Sequence, residues 1–267
     1  MDVTWEGSGR DGSGWEELSP YVGRCRLPVW DCTAGLVAGE DAALMIDAGA
    51  SVREGARLRT RALRALGGGR SPGGRQVTHL ALTHPHFDHV FGAAAFAGAE
   101  VFGAMGATGV PPVERGRDWG KVLDAAGREE LLADAVRNGA DPEEAAEAAA
   151  LLVRPRHLVS GEWTLDLGGG PQVLLANVGP GHTGHDLAVL VAAPGSPEIV
   201  FCGDLVEESG EPQAGPDAVP SHWPAALDRL LALGGEDALY VPGHGAVVDA
   251  AFVRAQRDAL ARRFDVP

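Results

Sequence analysis

The chain has 267 residues, enough to bury one sizeable core; hydrophobic residues make up 45% and charged residues 22%, which excludes wholesale disorder. A formal net charge of -15 excludes nucleic acid as an expected partner, because the arginines at 53, 57, 59, 61 and 64 read as the solvated face of one helix and not as a basic patch. No segment approaches 18 consecutive apolar residues, and "MDVTWEGSGRDGSGWEELSP" lacks both a basic and an apolar export region, so the expectation is a cytoplasmic protein that does not span a membrane.

In chain order, the Gly/Ser-rich first 14 residues read as a mobile lead-in to one domain covering 1–267. "AGLVAG" and "AALMIDAG" flank Glu40-Asp41 and predict a β-hairpin ending at Asp47. A helix follows from Val52 to Leu66, closed by Gly67-Gly68-Gly69. "QVTHLALT" is a buried strand running into "THPHFDHVFG", and "HVFGAAAFAGA" reads as a short helix packed behind it.

A helical insertion spans 113–160. "REELLADAVRNG" and "DPEEAAEAAALLV" form a hairpin of helices, the second opened by Asp141 as N-cap and Pro142 in the first turn. Leu131, Leu132, Ala135 and Val136 give the insertion an apolar stripe that must cover something, either the cleft or a neighbouring subunit. Strands return in "EWTLDLGG", "QVLLANVG", "DLAVLVAA" and "EIVFCGD"; then come a helix at 224–233, the strand "ALYVPG" and a last helix from Asp249 to Phe264. Such mixed sets imply sheets covered by helices. Cys25, Cys32 and Cys202 have no paired spacing and read as free thiols.

Within "THPHFDHVFG", His84, His86, Asp88 and His89 crowd three imidazoles and a carboxylate against an apolar run. They cannot all satisfy one another, and unpaired polar groups in apolar surroundings are expensive, so a divalent cation is the natural resolution. Imidazole and carboxylate suit zinc, with iron or manganese left open. Pro85 holds His84 extended, so His84 and His86 form a pincer while Asp88 and His89 point elsewhere. Four such residues in one loop suggest two metals. Further candidates stand beside glycines at strand ends: His182 in "GPGHTGHD", Asp204 in "FCGD" and His244 in "VPGHG".

H-x-H-x-D-H, then G-H-T, then a strand ending G-D, then P-G-H-G, in this order, resembles the metallo-β-lactamase-fold superfamily of metallohydrolases, from about Leu36 to Gly245. The resemblance implies an α/β fold, a four-layer αββα sandwich, with a dinuclear centre, two zinc ions, at the sheets' edge. It implies His84, His86 and His182 on one metal, Asp88, His89 and His244 on the other, and Asp204 between them. Asp47 either braces the metal loop or caps a turn; His185 either touches substrate or makes a supporting hydrogen bond. His79 reads as structural, and His157 and His222 as surface residues, with His222 able to border the cleft.

The implied reaction is hydrolysis of a small-molecule ester, thioester, lactone or lactam by a hydroxide shared between two metals, with Asp88 orienting it and moving its proton. A β-lactam substrate is not favoured, since an export signal is missing and the commonest zinc subclass has cysteine where Asp204 stands. A glyoxalase II-like thioesterase shares the seven ligands, but the stretch after His244 leaves no room for that family's glutathione-binding helices. The alternative is a mononuclear iron enzyme resembling persulfide dioxygenases; a diiron electron-transfer relative ranks last, because it carries glutamate where His86 stands. Homo-oligomerisation is left open.

Overall fold

The computed structural model describes residues 3–5, 14–67, 75–106 and 119–266. Seven strands form the first sheet in sequential order: β1 (Glu16–Ser19), β2 (Val22–Arg26), β3 (Thr33–Ala38), β4 (Ala43–Ile46), β5 (Val77–Ala81), β6 (Glu100–Ala104) and β7 (His157–Val159). Its first half is an antiparallel meander and its second half, from β4 on, is parallel. The second sheet has the order β12-β11-β10-β9-β8, from β8 (Glu162–Leu165), β9 (Gln172–Asn177), β10 (Leu187–Ala192), β11 (Ile199–Glu207) and β12 (Leu239–His244). The helices are α1 (Val52–Ala65), α2 (Phe87–Val90), α3 (Trp119–Val122), α4 (Ala125–Arg137), α5 (Pro142–Ala150), α6 (Trp223–Gly234) and α7 (Ala250–Phe264).

Three apolar clusters lie at the three interfaces between four layers. Leu58 and Ala62 of α1, Ala135 of α4 and Ala148 of α5 pack with Met45 and Leu80 of the first sheet. Leu44, Ile46 and Phe102 meet Leu175, Val189 and Phe201 between the two sheets. Cys202 and Tyr240 meet Trp223, Leu227 and Leu230 of α6 and Val253 of α7. Neighbours such as Leu44 and Met45, or Phe201 and Cys202, thus serve opposite interfaces, as the two-residue period of a strand requires. This is why β3, β4 and β11 are buried along their whole length and read as continuous apolar runs. The αββα expectation holds.

Several local expectations need correction. Helical structure in the insertion ends at Ala150, because His157–Val159 pairs with β6 as the edge strand of the first sheet. His157 is therefore not a free surface residue: it is half-buried, stacked on Phe102 at 4.7 Å and bonded to Glu100 at 2.7 Å. The stripe on α4 is narrower than expected, with Leu131 and Ala135 buried and Val136 39% exposed. The helix after the histidine loop starts earlier, at Phe87, and breaks at Gly92 before a single 3-10 turn at Ala93–Phe96. Within the lead-in, residues 3–5 are docked: the Thr4 amide donates to Ala65, and Trp5 packs edge-on against Trp15. The rest of the lead-in up to residue 13, Gly68 and Gly69, and the start of the insertion at 113–118 fall outside the described residues.

Candidate metal centre

The site residues arrive from both sheets at one edge. Asp47 follows β4, Thr83 to His89 follow β5, His182 lies between β9 and β10, Asp204 sits in β11 and His244 ends β12. Pairing with β12 shifts register around Gly203, whose φ of 53° is open to glycine, and this bulge turns Asp204 into the cleft. Gly243 is required for a different reason: a Cβ there would stand 1.8 Å from Asp204 Oδ1. A bridge between Cys32 and His244 joins the two sheets beside the site.

All seven residues expected as ligands converge. Potential ligand atoms of His84, His86, His182 and Asp204 lie within 4.8 Å of one another, and so do those of His89, Asp204 and His244. Asp204 belongs to both groups. In the first, His182 Nε2 is 2.9 Å from His86 Nδ1 and 3.5 Å from Asp204 Oδ2, while His84 Nε2 is 3.7 Å from the same oxygen. In the second, His244 Nε2 is 3.2 Å from Asp204 and 3.3 Å from Asp88, and His89 Nε2 is 3.1 Å from Asp204 Oδ1 and 3.7 Å from Asp88.

A tetrahedral ion with bonds of ~2.1 Å sets its donors roughly 3.4 Å apart, a spacing that these separations approach. His84 Nε2 and Asp204 Oδ1 are buried without a hydrogen-bond partner, a costly state that a cation relieves. The residues fit divalent-metal binding.

Each of the five imidazoles is held by its other nitrogen. His89 Nδ1 donates to Asp47 at 2.8 Å, His84 Nδ1 to Thr83 Oγ1 at 3.0 Å, His244 Nδ1 to the Trp30 carbonyl at 2.7 Å, His182 Nδ1 to the Gln213 carbonyl at 3.1 Å, and His86 Nε2 to Asp217 at 3.2 Å. These acceptors hold one nitrogen of every ring and leave the other facing the centre, where its lone pair can bind a metal once any proton it carries is displaced, the arrangement that supports metal-binding histidines.

Asp47 does more than cap a turn: it also accepts from the Thr83 amide at 2.8 Å and the Thr83 hydroxyl at 2.7 Å, bracing the loop from behind. His185 is buried against Trp119, outside the lining of the cavity above the cluster. His222, at the start of α6, also lies outside that lining, and His79 bonds Thr78 within β5.

The electrostatics follow from burying many ionisable groups together. Burial drives His84 well below its ordinary value and His182 down to about 4, so both are neutral, as ligation demands. Burial also disfavours charge on His244 and His89, but Asp204 outweighs it at His244, raising that ring to about 12, and Cys32 with Asp204 outweighs it at His89. Protons on these two rings balance Asp88 and Asp204, a role a divalent cation can take over. At His86 the burial penalty is overcome by Asp217, which raises the ring to about 9; in return His86, against Asp217's own burial, holds that carboxyl down at about 2.

Sequence reasoning missed Asp217, Cys32 and Trp30. "AGPDAV" reads as a turn, and nothing local connects it with a histidine 131 residues away. Cys32 Sγ sits 3.6 Å from His89 Nδ1 and 3.7 Å from Nε2, and burial pushes its thiol up to about 12. In the sequence Cys32 reads only as a free thiol, with nothing to tie it to the histidines.

A cavity of about 710 Å³ opens above the cluster. His86, Asp88, His182, Asp204 and His244 line it on the side of the cluster, together with Leu131 and Asp134 of α4 and with Gln213 and Asp217 from the stretch between β11 and α6.

Two mixed sheets between helices, with this His/Asp cluster at their shared edge, define a metallo-β-lactamase-like protein. The sequence model of the metallo-beta-lactamase superfamily matches residues 27–244, and the chain belongs to that superfamily. Among solved structures, it is similar to a metallo-beta-lactamase from Pontibacter korlensis, with 21% identity, a TM-score of 0.61, and coverage of 92% of this chain and 97% of that one. It is also similar to TMB-1, with 19% identity, a TM-score of 0.59, and coverage of 93% and 97% respectively. No curated protein matches. Among the described residues, no helix is long and apolar enough to cross a membrane.

Proposed function

We propose that the chain is a dinuclear, zinc-dependent hydrolase of a small ester, thioester, lactone or lactam. The observation that carries this reading is the set of five imidazoles, each anchored by one nitrogen to an oxygen and converging with the other on Asp204 and Asp88. His84, His86 and His182 would hold one ion, and His89, His244 and Asp88 the other, with Asp204 between. When bound, two such ions supply an activated water at neutral pH and polarise a carbonyl oxygen.

The chain's own residues do the rest. Asp88 Oδ2, 3.3 Å from His244 Nε2 in the cavity lining, orients the attacking water and takes its proton. A new C–O bond forms at the carbonyl carbon, the bond to the leaving heteroatom breaks, and the proton passes from Asp88 to that leaving group. Asp217, Gln213, Thr83, Asp47 and Trp30 keep the imidazoles aimed while this happens.

Elemental analysis of protein purified without added metal should find close to two equivalents of zinc, and chelation should abolish hydrolysis of a chromogenic ester that added zinc restores. One iron per chain with oxygen consumption would replace this reading by a dioxygenase.

A further inference from the structure

We propose, resting on the two-metal reading, that Arg24 is a positioning residue for the centre: from the first sheet its buried guanidinium grips the backbone just after His244 and so aims that ring at Asp88 and Asp204. Arg24 lies on β2 two residues from Val22, which packs between the sheets, and one from Cys25, which packs on the helix side. The period of a strand therefore turns Arg24 toward the second sheet, where only 4% of it is exposed. Packing alone would be served there by an apolar side chain, and a guanidinium in such a place is costly unless its donors are used.

They are used on two sides. Outward, Nε and Nη2 donate to Glu16 Oε2 at 2.8 and 2.7 Å, and that carboxylate is half-exposed. Inward, Nη1 donates to the Gly245 carbonyl at 3.0 Å, 221 positions along the chain. Gly245 is buried with φ at 100°, and a Cβ on it would stand 2.5 Å from Glu208 Oε2, so the backbone takes a glycine-only bend directly after the ligand. Glu208 holds the other side of that bend: its amide donates to the His244 carbonyl at 3.1 Å, and its Oε2 accepts from the Ala246 amide at 2.7 Å.

His244 depends on such support because β12 is an edge strand, with β11 on one side only. The first sheet supplies the other side. The His244 ring donates to the Trp30 carbonyl and its backbone bridges to Cys32, both in the segment that follows β2, the strand of Arg24. The ligand is thus held from this one region at its ring, at its own backbone and at the next peptide. Unlike the fully buried His89, the His244 side chain stays 12% exposed, so packing fixes it less and these hydrogen bonds fix it more.

Competition against a chromophoric chelator reads the two zinc equivalents separately. Arg24→Met should weaken the second equivalent by ~10–100-fold and leave the first as in the wild type. In a His244→Ala background the same substitution should add little, because both act through one ring. Equal weakening of both equivalents, or an undiminished loss without His244, would make Arg24 a part of the general fold and overturn the proposal. Should Arg24→Met fail to fold, Arg24→Gln keeps a polar group for Glu16 but is too short to hold Gly245, and the same outcomes are expected of it. In the metal-free protein, the His244 Nδ1 proton bonded to Trp30 should exchange with water faster in either variant than in the wild type, as followed by NMR; unchanged exchange refutes the positioning role. That readout stands even if the wild type takes up a single ion, in which case the two-metal reading fails and the exchange rate decides the role of Arg24.

Discussion

The two halves of the histidine cluster are held by different kinds of structure. On the inner side, His89 is fully buried and its partner Asp47 nearly so, with Asp47 also gripping both the amide and the hydroxyl of Thr83. On the outer side, His86 and Asp217 keep 21% and 25% of their side-chain surfaces exposed, and both His86 and His182 depend on one irregular loop for their anchors, Asp217 and Gln213. The inner half is part of the fold's core, where losing a partner costs stability. The outer half is attached to it by a loop, where losing a partner costs aim.

Asp88 tests the cluster as a whole, since it faces the inner histidines from the lining of the cavity. Asp88→Asn should lower kcat by ~10²–10⁴-fold if it moves the proton; near wild-type turnover with full metal content would remove it from the chemistry. Next in size, Asp47→Ala leaves the Thr83 amide and hydroxyl and His89 Nδ1 buried without an acceptor. The expected loss is ~3–5 kcal/mol in urea unfolding, and a loss below ~1 kcal/mol would break the claim that the inner half is structural.

Asp217→Asn should weaken zinc binding by ~10–100-fold while changing unfolding free energy by less than ~1 kcal/mol. The reverse pattern would abolish the contrast between the halves. The pH response sharpens the same point. His86, raised to about 9 against its burial by Asp217, must shed a proton to bind a metal. This proton contributes up to ~10-fold per unit to the rise of zinc affinity as pH climbs from neutral toward that value, in addition to the protons released by His89 and His244, and Asp217→Asn should remove its share of the slope; competition against a chromophoric chelator measures both. The smallest effect is expected at Val136→Ala, under ~0.5 kcal/mol, because this side of α4 faces solvent. Leu131→Ala on the cavity side should cost ~2–5 kcal/mol.

The sequence by itself determined a great deal here, because metal chemistry restricts residue types and the backbone restricts where they can stand. His84, His86, Asp88 and His89 are legible within six residues, and His182 between two strands, Asp204 within β11 and His244 at the end of β12 each sit beside a glycine, which Cβ-bearing residues cannot replace in at least one case, Gly243. Sheets covered by helices were legible from the alternation of strand and helix patterns, and the αββα layering from the resemblance that the motifs carry. The two margins of the first sheet were not: its edge strands β1 and β7 and their neighbours β2 and β6 are short, and "VGRCR" and "HLV" carry no clear alternation, so their pairing is set by neighbours.

What only the tertiary structure decided is the support around the ligands and the character of the cavity. Asp217 reaches His86 across 131 residues, Trp30 and Asn138 meet across 108, and Arg137 turns out to be spent on Asp134. Such partnerships leave no local pattern, since a hydrogen bond between distant loops depends on where the packed layers place them and not on the residues adjacent in the chain.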